Sequence, residues 1–114
     1  MNVDKNLENT TRSTMTDITT EELKVKLDNN EEFVFIDVRE PYEYEEFNLG
    51  AQLIPLGTIP GALNDLEQHK DKEIVIHCRS GARSENAKQF LVEMGYKNVR
   101  NLLGGAVRWQ QLYG

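Results

Sequence analysis

The sequence predicts a three-layer α/β domain, with helices on both faces of a mainly parallel sheet. Three observations carry this expectation. Phe33-Val34-Phe35-Ile36 and Ile74-Val75-Ile76 are short, unbroken apolar runs of β-branched and aromatic residues, the pattern of parallel strands covered on both faces. Segments with helical spacing separate the strand-like runs, as crossover connections require. The chain has 114 residues, a length suited to one domain of about 100–150 residues.

The elements follow in order. Residues 1–14 are mostly Asn, Thr, Ser and charged groups, with Val3 and Leu7 their only aliphatics. They are expected to form a disordered leader. The domain then occupies 15–114, and Met15 is an alternative start. Thr16-Asp17-Ile18 is a candidate strand. Thr19 or Thr20 caps a helix with Glu21 and Glu22 in its favourable first turn, and Leu23 and Leu27 share one face of it. After the Phe33–Ile36 run come Asp37-Val38-Arg39-Glu40 and a short helix opened by Pro41. Leu53-Ile54 is a short strand, and residues 59–66 are expected to be helical. The Ile74–Ile76 run leads into His77 and Cys78. Residues 82–94 form the strongest helix, with Ala87, Leu91 and Met94 along one face, Phe90 beside them, and Gly95 as its C-terminal stop. Residues 99–102 form a strand, Gly104-Gly105 a turn, and residues 106–112 the last helix.

Charge and composition narrow the function. Nineteen acidic and 13 basic residues leave a formal charge of −6, a poor balance for gripping nucleic acid phosphates or an anionic membrane. No apolar run approaches the ~20 residues that span a bilayer, and the N-terminus lacks the basic and apolar regions of a secretory signal. Cys78 is the only cysteine, so no internal disulfide forms, and a lone thiol suits a reducing, cytoplasmic setting. No His/Cys/Asp cluster has metal-ligand spacing, and neither metal nor cofactor is expected.

The loop Cys78-Arg79-Ser80-Gly81-Ala82-Arg83 carries the chemistry. Ligands of open parallel sheets bind beyond the carboxyl ends of the strands, where Cys78 stands. The loop feeds the N-terminus of the strongest helix, whose free N–H groups and dipole favour an anion. Arg79 and Arg83 add positive charge, with no acidic residue before Glu85. Each effect lowers a thiol's pKa, and the thiolate is the reactive form. Gly81 can take a positive φ, curling the loop amides inward, and Ser80 and Ser84 offer hydroxyls.

Three motifs agree in order and spacing with one family. Ile36-Asp37-Val38-Arg39-Glu40-Pro41 with Tyr44-Glu45, then Cys78-Arg79-Ser80-Gly81-Ala82-Arg83-Ser84, then Leu103-Gly104-Gly105 with Trp109, resemble the rhodanese (sulfurtransferase) superfamily over residues 16–112. The resemblance is to its single-domain thiosulfate sulfurtransferases. It implies an about five-stranded parallel sheet flanked by helices. It also implies a catalytic Cys78 that accepts a sulfane sulfur as a persulfide, with the loop residues 79–83 binding the substrate. Arg83 is then the candidate for holding an anionic donor such as thiosulfate, and Arg79 either shares that role or faces solvent. The acceptor is cyanide, a thiol or a partner protein.

Two departures matter. Phosphatases resembling this fold use a Cys-x5-Arg loop, whereas Cys78 to Arg83 is Cys-x4-Arg; the tighter ring suits sulfur better than phosphate and leaves a phosphatase or arsenate reductase as the less favoured alternative. Mercaptopyruvate-type members carry a Gly-rich loop without these arginines, which favours a thiosulfate-like donor. Phe47 and Leu49 stand where members commonly have histidine and proline.

Other residues have plainer readings. Asp37 and Arg39 are expected to form a structural network rather than a catalytic pair. His77 points to the face opposite Cys78 and is structural, His69 lies at the surface, and Trp109 and Tyr113 pack the last helix. Glu40, Glu43, Glu45 and Glu46 form a solvated acidic run or a surface for a basic partner. Three functions stay open: a sulfurtransferase, a partner-dedicated sulfur relay, and a redox sensor.

Overall fold

The computed structural model describes residues 17–114; the expected leader and Met15 lie outside the described residues. Twelve elements reduce to four strands and five α-helices joined by 3₁₀ turns. The strands are β1 (Val34–Asp37), β2 (Gln52–Leu53), β3 (Glu73–His77) and β4 (Asn98–Asn101). All pair in parallel, in the order β2-β1-β3-β4, with Asp37 opposite His77 in the central pair. The helices are α1 (Thr20–Asp28), α2 (Pro41–Glu46), α3 (Leu63–Leu66), α4 (Ala82–Glu93) and α5 (Gly105–Tyr113).

The two-residue period of β3 splits the core into two layers. Ile74 and Ile76 join Ala87 and Leu91 of α4, together with Ile36, Ile59 and Leu66, on one face. Val75 joins Ile18, Leu23 and Leu102, with Trp109 of α5 against them, on the other. Ile74 and Ile76 are fully buried, each contributing about 1.5–3 kcal/mol. Thr19 caps α1, its Oγ1 accepting the Glu22 N–H at 3.1 Å.

Four sequence expectations change. The predicted fifth strand at 16–18 is a single parallel bridge, Ile18 to Leu102, held by Ile18 N–H to Asn101 O (3.0 Å) and Leu103 N–H to Ile18 O (2.9 Å). Thr19 already caps α1, so the pairing does not continue beyond Ile18 toward α1, and Thr16 lies outside the described residues. Residues 59–66 are not one helix: 3₁₀ turns at Leu56–Thr58 and Pro60–Ala62 precede the single turn of α3, and another follows at Glu67–His69. Pro60 lacks the N–H of an α-helical ladder, and Gly61 weakens it further. Met94 is 42% exposed, because α4 ends at Glu93 and Met94 is its C-cap; Tyr96 takes the core position instead. Glu43, read as part of a solvated run, is buried.

Candidate active site

Cys78 stands one residue beyond β3, 1% exposed, and the chain turns at once into α4. Gly81 makes that turn at φ 116°, a conformation open to a residue without Cβ. The reversal aims donors at the sulfur: Gly81 N–H at 3.1 Å and Ser84 N–H at 3.3 Å, with Ser84 Oγ also at 3.3 Å. Ser84 is the third residue of α4. The sulfur therefore sits where an N-cap oxygen would, accepting an otherwise orphaned helix N–H.

The carbonyl side of the loop is held by α5. Ala106 N–H donates to Cys78 O at 2.9 Å and Val107 N–H to Arg79 O at 3.0 Å. Gly105 permits this approach: a Cβ there would stand 2.5 Å from Arg79 O and 2.7 Å from Cys78 O. Two helix N-termini thus grip one loop, α4 on the sulfur and α5 on the backbone oxygens.

Burial, the largest single influence, pushes the Cys78 thiol up. Hydrogen bonds from the Ser84 hydroxyl and from the backbone of Ser84, Gly81 and Ser80 outweigh it, so the thiol lies below its ordinary value. The Ser84 hydroxyl has one proton and three neighbours: Asn101 Oδ1 at 2.5 Å, Gly81 O at 3.2 Å and Sγ. Asn101 also donates through Nδ2 to Gly81 O (3.1 Å) and Glu85 Oε1 (3.3 Å), bracing the loop from β4.

The two loop arginines differ. Arg83 is paired with Glu43 through Nη1–Oε1 at 2.7 Å and Nη2–Oε2 at 3.0 Å. Its acidic partner thus comes from α2, 40 positions earlier, whereas chain order put no acidic residue on the loop before Glu85. The Arg83 hydrogen bonds hold the Glu43 carboxyl at about 2 against the opposing effect of burial. Arg79 is exposed, and its side chain has no polar partner among the described residues.

Behind the loop, Arg39 Nε and Nη2 bind Asp37 at 2.8–3.1 Å. Arg39 also donates to Phe47 O (2.6 Å) and to Glu43 O (3.4 Å), tying the end of β1 to α2. Buried His77 lies on the opposite face from Cys78, its Nε2 3.4 Å from Asp37 Oδ2 and its Nδ1 3.3 Å from Cys78 O. Burial pushes its pKa down, more than the Asp37 charge raises it.

This site has relatives. The rhodanese-like domain model matches residues 19–112. A sulfurtransferase of Allochromatium vinosum is 36% identical over 94 residues, covering 82% of this chain and 86% of its own. The putative sulfurtransferase YtwF of Bacillus subtilis is 42% identical over 95 residues, covering 82% and 89%. The chain belongs to the rhodanese-like family. The crystal structure of a rhodanese-like domain protein from Staphylococcus aureus superposes with a TM-score of 0.74 at 35% identity, covering 83% of this chain and 91% of that one.

Within this rhodanese-like domain, Phe47 meets Arg39 through its backbone oxygen, a contact that any residue supplies. A cleft of about 720 Å³ lined by Phe33, Val34, His69 and Lys72 lies at the N-terminal ends of β1 and β3, away from Cys78. It holds no nucleophile.

The sequence placed Cys78 and residues 79–83 on one loop and offered the Ser84 hydroxyl, which does contact the sulfur, but it missed two contributors, Glu43 and Asn101. Glu43 had a signal, an acid three residues after Glu40 at a Pro-led helix start, which is the spacing of the observed capping box. Nothing in the order of residues tied Asn101 to the loop.

Proposed function

We propose that this rhodanese-like domain is a sulfurtransferase that carries sulfane sulfur on Cys78. One observation carries the reading: the only thiol in the chain lies at a strand-to-helix junction, with two backbone N–H groups and a hydroxyl on its sulfur. That setting stabilises a thiolate. The thiolate attacks the outer sulfur of a thiosulfate-like donor; a new S–S bond forms, the donor's S–S bond breaks, and sulfite leaves with the electron pair. The terminal sulfur of the persulfide carries the negative charge. Ala82 and Arg83 N–H, at the first two positions of α4, have no acceptor among the described residues and are available to it. An acceptor, cyanide or a thiolate of a small molecule or partner protein, then takes that sulfur and frees the Cys78 thiolate.

Arg79 and Arg83 supply positive charge for the anionic donor, Arg83 sharing its own with Glu43. Asp37 and Arg39 support the loop from behind. A thiol with this role needs reducing surroundings, and on that ground we place the protein in the cytoplasm. Thiosulfate added to the protein is expected to raise its mass by one sulfur at Cys78, and cyanide to discharge it as thiocyanate. Absence of both products refutes the reading.

A further inference from the structure

We propose that Glu43 sets the donor specificity of the site: by pairing with Arg83 it leaves Arg79 as the one uncompensated loop cation, so that the preference for doubly over singly charged donors is reduced. The inference rests on the sulfurtransferase reading above.

Three features make the pair a fixed part of the site. The contact is bidentate, at 2.7 and 3.0 Å, the geometry in which guanidinium and carboxylate match best. Glu43 is only 8% exposed, so drawing Arg83 away toward a substrate would leave a buried carboxylate without its counter-charge. The carboxylate is also anchored elsewhere, since its Oε1 accepts Glu40 N–H at 2.9 Å. Glu43 cannot swing aside without breaking that bond as well as the pair.

The pair is close to the chemistry. The Arg83 guanidinium, raised first by Glu43, also feels the charge of Cys78. Of the two loop cations, Arg83 is thus already paired with Glu43, and Arg79 is exposed. With two free cations the site would favour a dianion strongly; with one, the preference is blunted.

The test compares thiosulfate, a dianion, with methanethiosulfonate, a monoanion that presents the same terminal sulfur and leaves as methanesulfinate. Glu43→Gln keeps the side-chain shape and an acceptor for Glu40 N–H but removes the charge. Each unit of donor charge gains about a fivefold Boltzmann factor from one freed cation roughly 4 Å away in water. The ratio of kcat/KM for thiosulfate over methanethiosulfonate is accordingly expected to rise about fivefold, through KM. In Glu43→Gln/Arg83→Gln, which removes both charges, the ratio is expected to return toward the wild-type value. If Glu43 only supported the fold, both donors would lose kcat/KM together and the ratio would stay put, which overturns the proposal. A raised ratio that persists in the double variant overturns it too. Failure of wild-type Cys78 to take sulfur from either donor sinks the sulfurtransferase reading with it. Sulfur uptake with an unchanged ratio sinks the role of Glu43 alone.

Discussion

Replacing Gly105 by alanine tests how α5 grips the loop. The added Cβ would lie 2.5 Å from Arg79 O, and 2.7 Å from both Arg79 C and Cys78 O, all backbone atoms that cannot rotate away. Relief requires α5 and the loop to separate, lengthening the 2.9 and 3.0 Å bonds from Ala106 and Val107 N–H. Two costs add: overpacking, about 1–3 kcal/mol, and the left-handed backbone of residue 105 at φ 58°, about 1–2 kcal/mol for a residue with a Cβ. The sum, about 2–5 kcal/mol, is a large share of a typical stability of roughly 5–15 kcal/mol. Gly50→Ala separates the two costs, since Gly50 has φ 87° and open space around a Cβ; it is expected to lose about 1 kcal/mol. Urea denaturation of the two variants reads the difference as a shift in midpoint at constant slope. Cys78 alkylation in Gly105→Ala should also slow, as the loop amides move off the sulfur. Equal midpoints for the two variants would refute the close-approach argument.

Other outcomes follow from the same geometry. Cys78→Ser is expected to abolish both sulfur loading and thiocyanate formation, measured by intact mass and by colorimetry. Ser84→Ala removes a hydroxyl whose one proton is shared between Cys78 and Asn101; a full hydrogen bond to a charged group contributes about 1.5–3 kcal/mol, so alkylation of Cys78 below its midpoint should slow by up to about tenfold while the midpoint moves up. A pH titration of iodoacetamide reactivity checks this. The Glu43 carboxyl, held at about 2 rather than 4.5, stabilises the fold above its unfolded value and loses that effect as pH falls from about 4.5 toward 2. Glu43→Gln should therefore be less stable than wild type by about 3 kcal/mol near neutrality, with the gap closing below pH 4.5 in denaturation midpoints taken across pH. Gly61→Ala, where a Cβ meets open space without positive φ, should leave stability and reactivity essentially unchanged.

The fold class was legible because its signals are local. Phe33–Ile36 and Ile74–Ile76 are continuous apolar runs, and a central parallel strand needs no more than that to declare itself. The Cys78 loop was legible for the same reason, six consecutive residues at a strand-to-helix junction, with Gly81 marking the turn. Errors came where local cues conflict with what surrounds them. Residues 59–66 have helical spacing, but Pro60 and Gly61 break the ladder; Met94 continues a periodic face, but the helix ends one residue before it.

By itself the sequence determined which residue types lie along the loop, and hence that an anion-stabilising turn would form around Cys78. Tertiary structure alone decided how charge and donors are distributed there. Arg83 is neutralised by Glu43 of α2, the Ser84 hydroxyl is shared with Asn101 of β4, and the loop carbonyls are held by α5 through Gly105. Each of these pairs residues at least 17 positions apart. Chain order carries no distance information over such separations; the sheet register and helix docking that bring them together do.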